Sequence, residues 1–257
     1  LNSLGSNIKK VKDKIIINNS YQKKTFASYN LVKTMRAGIL VLGPLLAKFG
    51  TAKVSLPGGC AIGTRPVDIH LFGLKKLGAK IKIKNGYIFA EAKKGLIGTQ
   101  IKFPSISVGA TENVIIAASL AKGTTRLRNC ACEPEIKNLT DFLNKMGANI
   151  TWLGKREIKI IGCKKLKQVN HQIMFDRIEA GTFIIAGALI GKKLKILGIQ
   201  TNLLNTEIKI LRKMGVKMQI NKDHINILHS PKIKPVKIKT EPYPGFPTDL
   251  QAQIMVL

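Results

Sequence analysis

Residues 56–68 concentrate the side chains of this 257-residue chain that could do chemistry. The stretch holds three glycines and two prolines together with the Cys60 thiol, the Arg65 guanidinium and the Asp68 carboxylate. Glycine serves where the backbone takes a positive φ or approaches a ligand closely, so the stretch predicts a shaped loop. A thiol beside Arg65, near a helix N-terminus that favours anions, indicates a functional loop. The alternative is a tolerated surface loop.

A second irregular stretch, residues 241–249, contains three prolines and ends at Asp249. The prolines predict a stiff lead-in to a helix that follows. Asp249 then has two interpretations. It is either the N-cap of that helix or a rigidly held general base.

The rest of the chain is a repeat that must position these two stretches. Leu77-Gly78-Ala79-Lys80-Ile81 recurs in similar form at residues 146–150, 69 positions further along, and again at residues 214–218, another 68 positions on. Each copy predicts a βαβαββ unit with one buried and one amphipathic helix. The buried helices are expected at residues 37–48, 114–121 and 183–190. Residues 1–20 are expected to form a loop and then a strand, with Ile15-Ile16-Ile17 as its apolar core.

The first copy differs from the others at the Cys60 loop. Gly50 and Pro66 are 16 residues apart, whereas the matching interval is 11 residues in the second and third copies. The five extra residues fall in the loop, and an insertion in one repeat favours binding or chemistry. The same period predicts a fourth buried helix at residues 250–257.

These patterns predict an α/β fold of repeated βαβαββ units packed around their buried helices.

The composition excludes or disfavours several classes of function. The formal charge of +29 comes from 36 Lys and only seven Arg, and many lysines alternate with Ile as on the wet face of a strand. We therefore expect solvated sheet faces and no nucleic-acid partner, with a basic nucleic-acid-binding protein as an alternative. The longest apolar run, residues 37–47, is too short to span a bilayer, so we expect no membrane partner. Cys130-Ala131-Cys132 has no second pair at zinc spacing and favours core packing.

Five motifs together resemble the UDP-N-acetylglucosamine 1-carboxyvinyltransferase family. The Cys60 loop is the most specific of them, and the resemblance covers essentially the whole chain. The matching segments lie at residues 57–68, 107–111, 133–136, 176–182 and 246–253. The resemblance implies an inverse α/β barrel of the enolpyruvyl transferase type in a two-domain protein, with the active site in the cleft between the domains. This chain is then a fragment that lacks both ends. The first domain is expected at residues 1–174, and the second, which is incomplete, at residues 175–257.

The resemblance also implies the reaction. The enolpyruvyl group of phosphoenolpyruvate passes to the 3′-hydroxyl of UDP-N-acetylglucosamine with release of phosphate, the first committed step of peptidoglycan synthesis in the cytoplasm. No metal or other cofactor is expected. Cys60 is placed as the acid that protonates the CH₂ carbon, and Asp249 as the acceptor of the hydroxyl proton.

Arg36 and Arg65 are the implied cations for phosphate or diphosphate oxygens. The positions that line the family's UDP-sugar site are Pro66, Val67, Asp68, Ile69, Ser105, Ile106, Ser107 and Val108. One of these departs from the family, which commonly has Lys where this chain has Ser105. Two further alternatives are an inactive fragment or scaffold of the same fold, and a transferase like 5-enolpyruvylshikimate-3-phosphate synthase.

Overall fold

The computed structural model describes residues 1–19, 24–33, 35–58, 67–191 and 193–257, and only the backbone of Arg36. Its contacts divide the chain into two compact units. The first comprises residues 1–131 and 139–169, and the second comprises residues 132–138 and 170–257. The predicted domain boundary after residue 174 stays a prediction.

The first unit begins with a short 3-10 helix and a two-stranded hairpin, β1 Asn7–Val11 and β2 Lys14–Asn18. Ile15, Ile16 and Ile17 lie in β2 as a strand, but their side chains are 66%, 53% and 48% exposed. The expectation that they form an apolar core is wrong among the described residues, because β1 and β2 pair only with each other and no third strand covers them.

The first copy of the repeat forms a four-stranded sheet in the order β3-β4-β6-β5. β3 and β4 are parallel and the other neighbours are antiparallel. Its elements are β3 Phe26–Ala27, α1 Tyr29–Val32, a 3-10 helix Arg36–Val41, α2 Leu42–Phe49, β4 Thr51–Ser55, α3 Asp68–Lys76, β5 Lys80–Lys84 and β6 Tyr87–Glu91.

The second copy repeats this topology, with the sheet order β7-β8-β10-β9 and one parallel pair, β7 and β8. Its elements are β7 Gln100–Lys102, α4 Val108–Ala118, β8 Thr124–Arg128, α5 Pro134–Lys145, β9 Asn149–Gly154 and β10 Glu157–Ile161. Pro134 is the first helical residue of α5, where a proline loses no hydrogen bond. The predicted βαβαββ order is confirmed in both copies.

The third copy, in the second unit, has a three-stranded sheet in the order β11-β13-β12. Residues 163–176 hold no strand, so the predicted first strand is wrong here. That strand is the weakest element of the other copies, since only two and three of its residues pair in β3 and β7. The elements are α6 Arg177–Ile190, β11 Leu194–Leu197, a 3-10 helix Thr201–Leu204, α7 Asn205–Met214, β12 Met218–Ile220, β13 His224–Ile227, a 3-10 helix Thr248–Leu250 and α8 Gln251–Val256.

The buried helices differ in how completely they are enclosed. Ile115 of α4 is fully buried, and α4 packs against α2 and α3. In α6, by contrast, Phe183, Leu189 and Ile190 are each more than half exposed. Among the described residues, therefore, only one face of α6 is covered, and α8 packs against this helix.

Hairpin turns and helix ends are set by positive-φ residues. Gly5, Gly78, Gly147 and Gly215 have φ between 94° and 99°, and each precedes a hairpin by two or three positions. Asn85 (φ 49°) and Gly86 (φ 74°) form the turn between β5 and β6, as Asn-Gly does in type I′ hairpins.

Nowhere in the described ranges is a helix both long and apolar enough to cross a bilayer.

Candidate active site

Helix α3 carries the first group of predicted binding residues. It begins at Asp68, directly after Val67. Val67 is buried, Asp68 is exposed in the first turn, and Ile69 is half-buried. Cys60, Arg65 and Pro66 lie outside the described residues, so their predicted roles stay predictions.

The second group stands at the start of α4. Ser105 and Val108 are exposed, whereas Ile106 and Ser107 are half-buried. Ser107 is the N-cap: its Oγ accepts a hydrogen bond from Ala110 N at 3.3 Å. Such a cap satisfies one of the free N–H groups of the first turn and fixes where the helix starts.

The structure brings the starts of α3 and α4 together. A Cβ placed on Gly109 would lie 3.0 Å from Cε1 of His70, so only glycine fits there without displacing the ring. Gly109 follows Val108 and His70 follows Ile69. The two predicted UDP-sugar segments are therefore neighbours in the first unit, although their role as a binding site stays a prediction.

The Asn113 amide links these helices to the segment that contains Arg36. Its Oδ1 accepts from Gly43 N at 2.7 Å, and its Nδ2 donates to Ile39 O at 3.1 Å. The backbone N–H of Gly43 can only donate, so the amide nitrogen must face the other way, toward His70 Nδ1 at 3.2 Å. His70 Nδ1 then accepts, which places the ring proton on Nε2.

The described start of the Cys60 loop lies beside that same segment. A Cβ on Gly58 would come 2.8 Å from the Lys33 carbonyl oxygen. Arg36 begins the 3-10 helix that ends at Val41, and Asn113 holds Ile39 of that helix. The 3-10 helix is thus tied to α4 through Ile39, and Lys33, three positions before it, lies close to the start of the loop.

Asp249 lies in the second unit, within the 3-10 helix Thr248–Leu250, and is exposed. The N-cap of this 3-10 helix is Pro247, and the N-cap of α8 is Leu250. The alternative that Asp249 is an N-cap is therefore wrong, because its own backbone is already helical. Its role as general base stays a prediction.

Buried neighbours on both sides hold the Asp249 segment. Phe246 is 2% exposed and Leu250 is fully buried in the core of the second unit. Leu250 packs so closely on α6 that a Cβ on Gly181 would lie 2.5 Å from its Cδ1. One turn further on, Gln253 Nε2 donates to Thr182 Oγ1 at 3.0 Å.

One hollow on the described surface lies away from the predicted site residues. An open hollow of about 580 Å³ on the second sheet is lined by Thr99, Gln100, Thr124, Arg126, Leu153 and Lys159. None of these is a predicted site residue. Across the part of the chain that the structure describes, no three His, Cys, Asp or Glu side chains are grouped to hold a metal ion. Cys130 is fully buried.

Two positions were missed from the sequence. Asn113 organises three helical segments, and its signal was a lone amide inside the apolar run of α4. Arg177 was part of a matched motif but received no role. Its side chain is buried and pairs with Glu135 and Glu207.

Mixed sheets in repeated βαβαββ units define an α/β fold that solved enolpyruvyl transferases share. The enolpyruvyl transferase NikO from Streptomyces tendae superposes with a TM-score of 0.83 at 22% identity, over 98% of this chain and 61% of that one. EPSP synthase from Acinetobacter baumannii gives 0.66 at 20% identity, over 93% and 57%. At such identities the likeness concerns the fold alone. The family model described as EPSP synthase (3-phosphoshikimate 1-carboxyvinyltransferase) matches residues 1–257, and the chain belongs to that family.

Closer relatives carry a more specific name. The UDP-N-acetylglucosamine 1-carboxyvinyltransferase of Pelagibacter ubique is 64% identical over all 257 residues, which cover 62% of that protein. The protein of the same name from Geobacter metallireducens is 49% identical and 61% covered. The chain thus spans about 60% of the length of these relatives. They confirm the resemblance stated from the motifs.

Proposed function

We propose that this protein transfers the enolpyruvyl group of phosphoenolpyruvate to the 3′-hydroxyl of UDP-N-acetylglucosamine, releasing phosphate, as the first committed step of peptidoglycan synthesis. The observation that carries the proposal is the 64% identity, over the entire chain, to a protein named for this activity. The solved EPSP synthases are only 20% identical to this chain, so they support shikimate 3-phosphate as the acceptor much less than the closer relatives support UDP-N-acetylglucosamine.

The residue roles follow the chemistry. Cys60 delivers a proton to the CH₂ carbon of the enol, and Asp249 accepts the proton of the attacking hydroxyl. Arg36 and Arg65 neutralise phosphate oxygens. The UDP-sugar binds along two segments, residues 66–69 and 105–108, and the adjacency of α3 and α4 supports this placement. We propose a cytoplasmic enzyme with small-molecule substrates, no cofactor, and neither nucleic acid nor membrane as partner.

The test is phosphate release by the protein expressed from its complete coding sequence. Phosphoenolpyruvate with UDP-N-acetylglucosamine should give turnover, whereas phosphoenolpyruvate with shikimate 3-phosphate should give none. The reverse pattern would favour the EPSP synthase alternative. No release with either acceptor would favour an inactive scaffold, and retention on DNA that salt abolishes would support a nucleic-acid role.

A second prediction concerns the thiol. Fosfomycin should alkylate Cys60, as the family resemblance implies, and mass spectrometry of the treated protein locates the adduct. The other three cysteines are internal controls, among them the fully buried Cys130. An adduct on Cys132 or Cys163 with Cys60 unmodified contradicts the assignment.

A further inference from the structure

Two motifs that the proposed mechanism leaves without a role meet at Arg177, inside the second unit. Arg177 is the first residue of α6, and its side chain is 5% exposed. Its Nε and Nη2 donate to the two carboxylate oxygens of Glu135 at 3.0 and 3.4 Å. Its Nη1 donates to Glu207 Oε1 at 3.5 Å, and the Glu207 side chain is 4% exposed. The rigid fork of a guanidinium suits this paired recognition, which an ammonium would not reproduce.

The same guanidinium also lies over the ring of Tyr243. Arg177 Cζ is 5.2 Å from the centroid of the Tyr243 ring, within cation–π range. Burial raises the pKa of the Tyr243 hydroxyl, so the ring is neutral beneath the cation at physiological pH. Arg177 therefore contacts the proline-rich lead-in as well as two carboxylates.

The backbone around Tyr243 is fixed by neighbours of that cluster. Tyr243 N donates to Glu133 Oε1 at 3.3 Å, and Cys132 Sγ donates to Tyr243 O at 3.4 Å. Thr206 Oγ1 donates to the next carbonyl, Pro244 O, at 2.5 Å. Consecutive peptide units are thus held from residues near the starts of α5 and α7.

The lead-in, residues 241–249, connects this fixed position to Asp249. Glu241 N donates to Phe246 O at 2.9 Å and closes the lead-in into a compact turn. Phe246 and Leu250 then enter the core on either side of Asp249. Six positions separate Tyr243 from Asp249, and three prolines in residues 242–247 restrict φ along the way.

We propose that Arg177 is a positioning residue: by holding Glu135, Glu207 and the Tyr243 ring together, it fixes the lead-in and sets where the Asp249 carboxylate stands. The catalytic role of Asp249 rests on the proposed function, but the positioning of the lead-in by Arg177 does not. Arg177 acts through the lead-in and does not itself contact the substrate.

The double variant Arg177→Met/Glu207→Gln tests the proposal. It removes the buried cation together with the buried carboxylate that it pairs with, so Glu207 is not left as an unpaired buried charge. Methionine keeps most of the side-chain volume, and glutamine keeps the shape of the glutamate. Arg212→Met is the matched control, because Arg212 is exposed in the last turn of α7 in the same unit. Glu207→Gln alone separates the loss of the carboxylate from the loss of the guanidinium.

Two readouts are taken on the protein expressed from its complete coding sequence. In the double variant, amide hydrogen exchange at residues 243–250 should rise about 10-fold or more, while the amides of α6 and β13 keep their protection. The kcat should fall by about 10- to 100-fold with the KM for UDP-N-acetylglucosamine changed less than about 3-fold, because a misplaced base weakens only the chemical step. Arg212→Met should match the wild type in both readouts. Glu207→Gln keeps the guanidinium with its contacts to Glu135 and Tyr243, so it should change both readouts much less than the double variant does.

Three results would overturn the proposal. Unchanged exchange at residues 243–250 means that Arg177 does not fix the lead-in. Faster exchange throughout α6 and β13 means that it is a general structural residue, and faster local exchange with an unchanged kcat removes its link to Asp249. A wild-type protein without turnover would overturn the proposed function instead, and the exchange data would still decide whether Arg177 holds the lead-in.

Discussion

The Asp249 carboxylate points from a short, well-anchored helix, and its replacement tests its proposed role directly. Asp249→Asn keeps the shape but removes the proton acceptor, so turnover should fall by about 10²- to 10⁴-fold. Binding of UDP-N-acetylglucosamine, measured by calorimetry, should remain measurable. Because Asp249 caps neither neighbouring helix, the melting temperature should hardly change. Wild-type turnover in this variant would leave Asp249 without a catalytic role.

Glu207 should make the stability of the protein depend on pH. Burial is the main cause that raises the pKa of this carboxyl above its ordinary 4.5, and it outweighs the attraction of Arg177. The stability that comes from the protonated form is fully present below pH 4.5 and is lost as the pH rises through the raised folded-state pKa. Relative to wild type, Glu207→Gln should therefore become progressively more stable toward neutral pH, which urea unfolding at several pH values measures.

Glu241 provides a contrast for that experiment. Its carboxylate pairs with Lys239 Nζ at 2.7 Å, which lowers the pKa of Glu241. The contribution of this exposed pair is present above the ordinary pKa and is lost as the pH falls, so Glu241→Gln should show a small slope of the opposite sign. Equal slopes for the two variants would contradict the burial argument for Glu207.

At the scale of elements, the close crossing of α2 and α4 depends on Gly43. A Cβ at this position would lie 2.2 Å from Asn113 Oδ1 and 2.5 Å from its carbonyl oxygen. Gly43→Ala should therefore push the helices apart and reduce the free energy of unfolding by about 1–3 kcal/mol, as overpacking of cores does. Gly154→Ala is the matched control, since nothing lies within 4 Å of a Cβ there. A similar, small effect of both changes in urea unfolding would contradict the crowding at Gly43.

Element boundaries show what periodicity could and could not predict. A short apolar run between turn residues predicts a strand at Leu194–Leu197, and β11 lies there because this signal is local. Helix α4 begins at Val108, six residues before the predicted start. Its first turns carry Thr111, Glu112 and Asn113, whose polarity hid them from an apolar pattern. Asn113 and Thr111 are nonetheless fully buried, since their bonds go to other helices and to the helix start.

The candidate site was predictable to the extent that it is local. The residues that begin α3 and α4 were named from motifs, and a cap such as Ser107 acts over three positions. The contacts of Asn113 span 70 and 74 positions and those of Arg177 span 30 and 42. Such contacts depend on how whole units pack, and a period of 68 residues gives their order but not their side-chain partners.

For the whole molecule, exposed apolar side chains at α8 limit how concentrated the 257-residue chain can become. Met255 and Val256 are 76% and 70% exposed. Val256→Lys should raise the concentration at which light scattering detects self-association, because it removes apolar surface. Gln251→Lys, at an exposed position of the same helix, adds the same charge without removing apolar surface and should change little, since the chain already carries a net +29. Equal gains from both would indicate that charge alone controls association.

The Asn85-Gly86 turn gives the molecule a natural attachment point. Both residues already have the positive φ that the tight connection requires, and a Cβ on Gly86 would meet nothing within 4 Å. Exposed turns of this kind are where folded chains accept added sequence most readily. A peptide epitope or a fluorophore-bearing loop placed between these residues would extend from the β5–β6 end of its sheet. It would give an optical or affinity handle on the first unit while leaving the paired strands on either side intact.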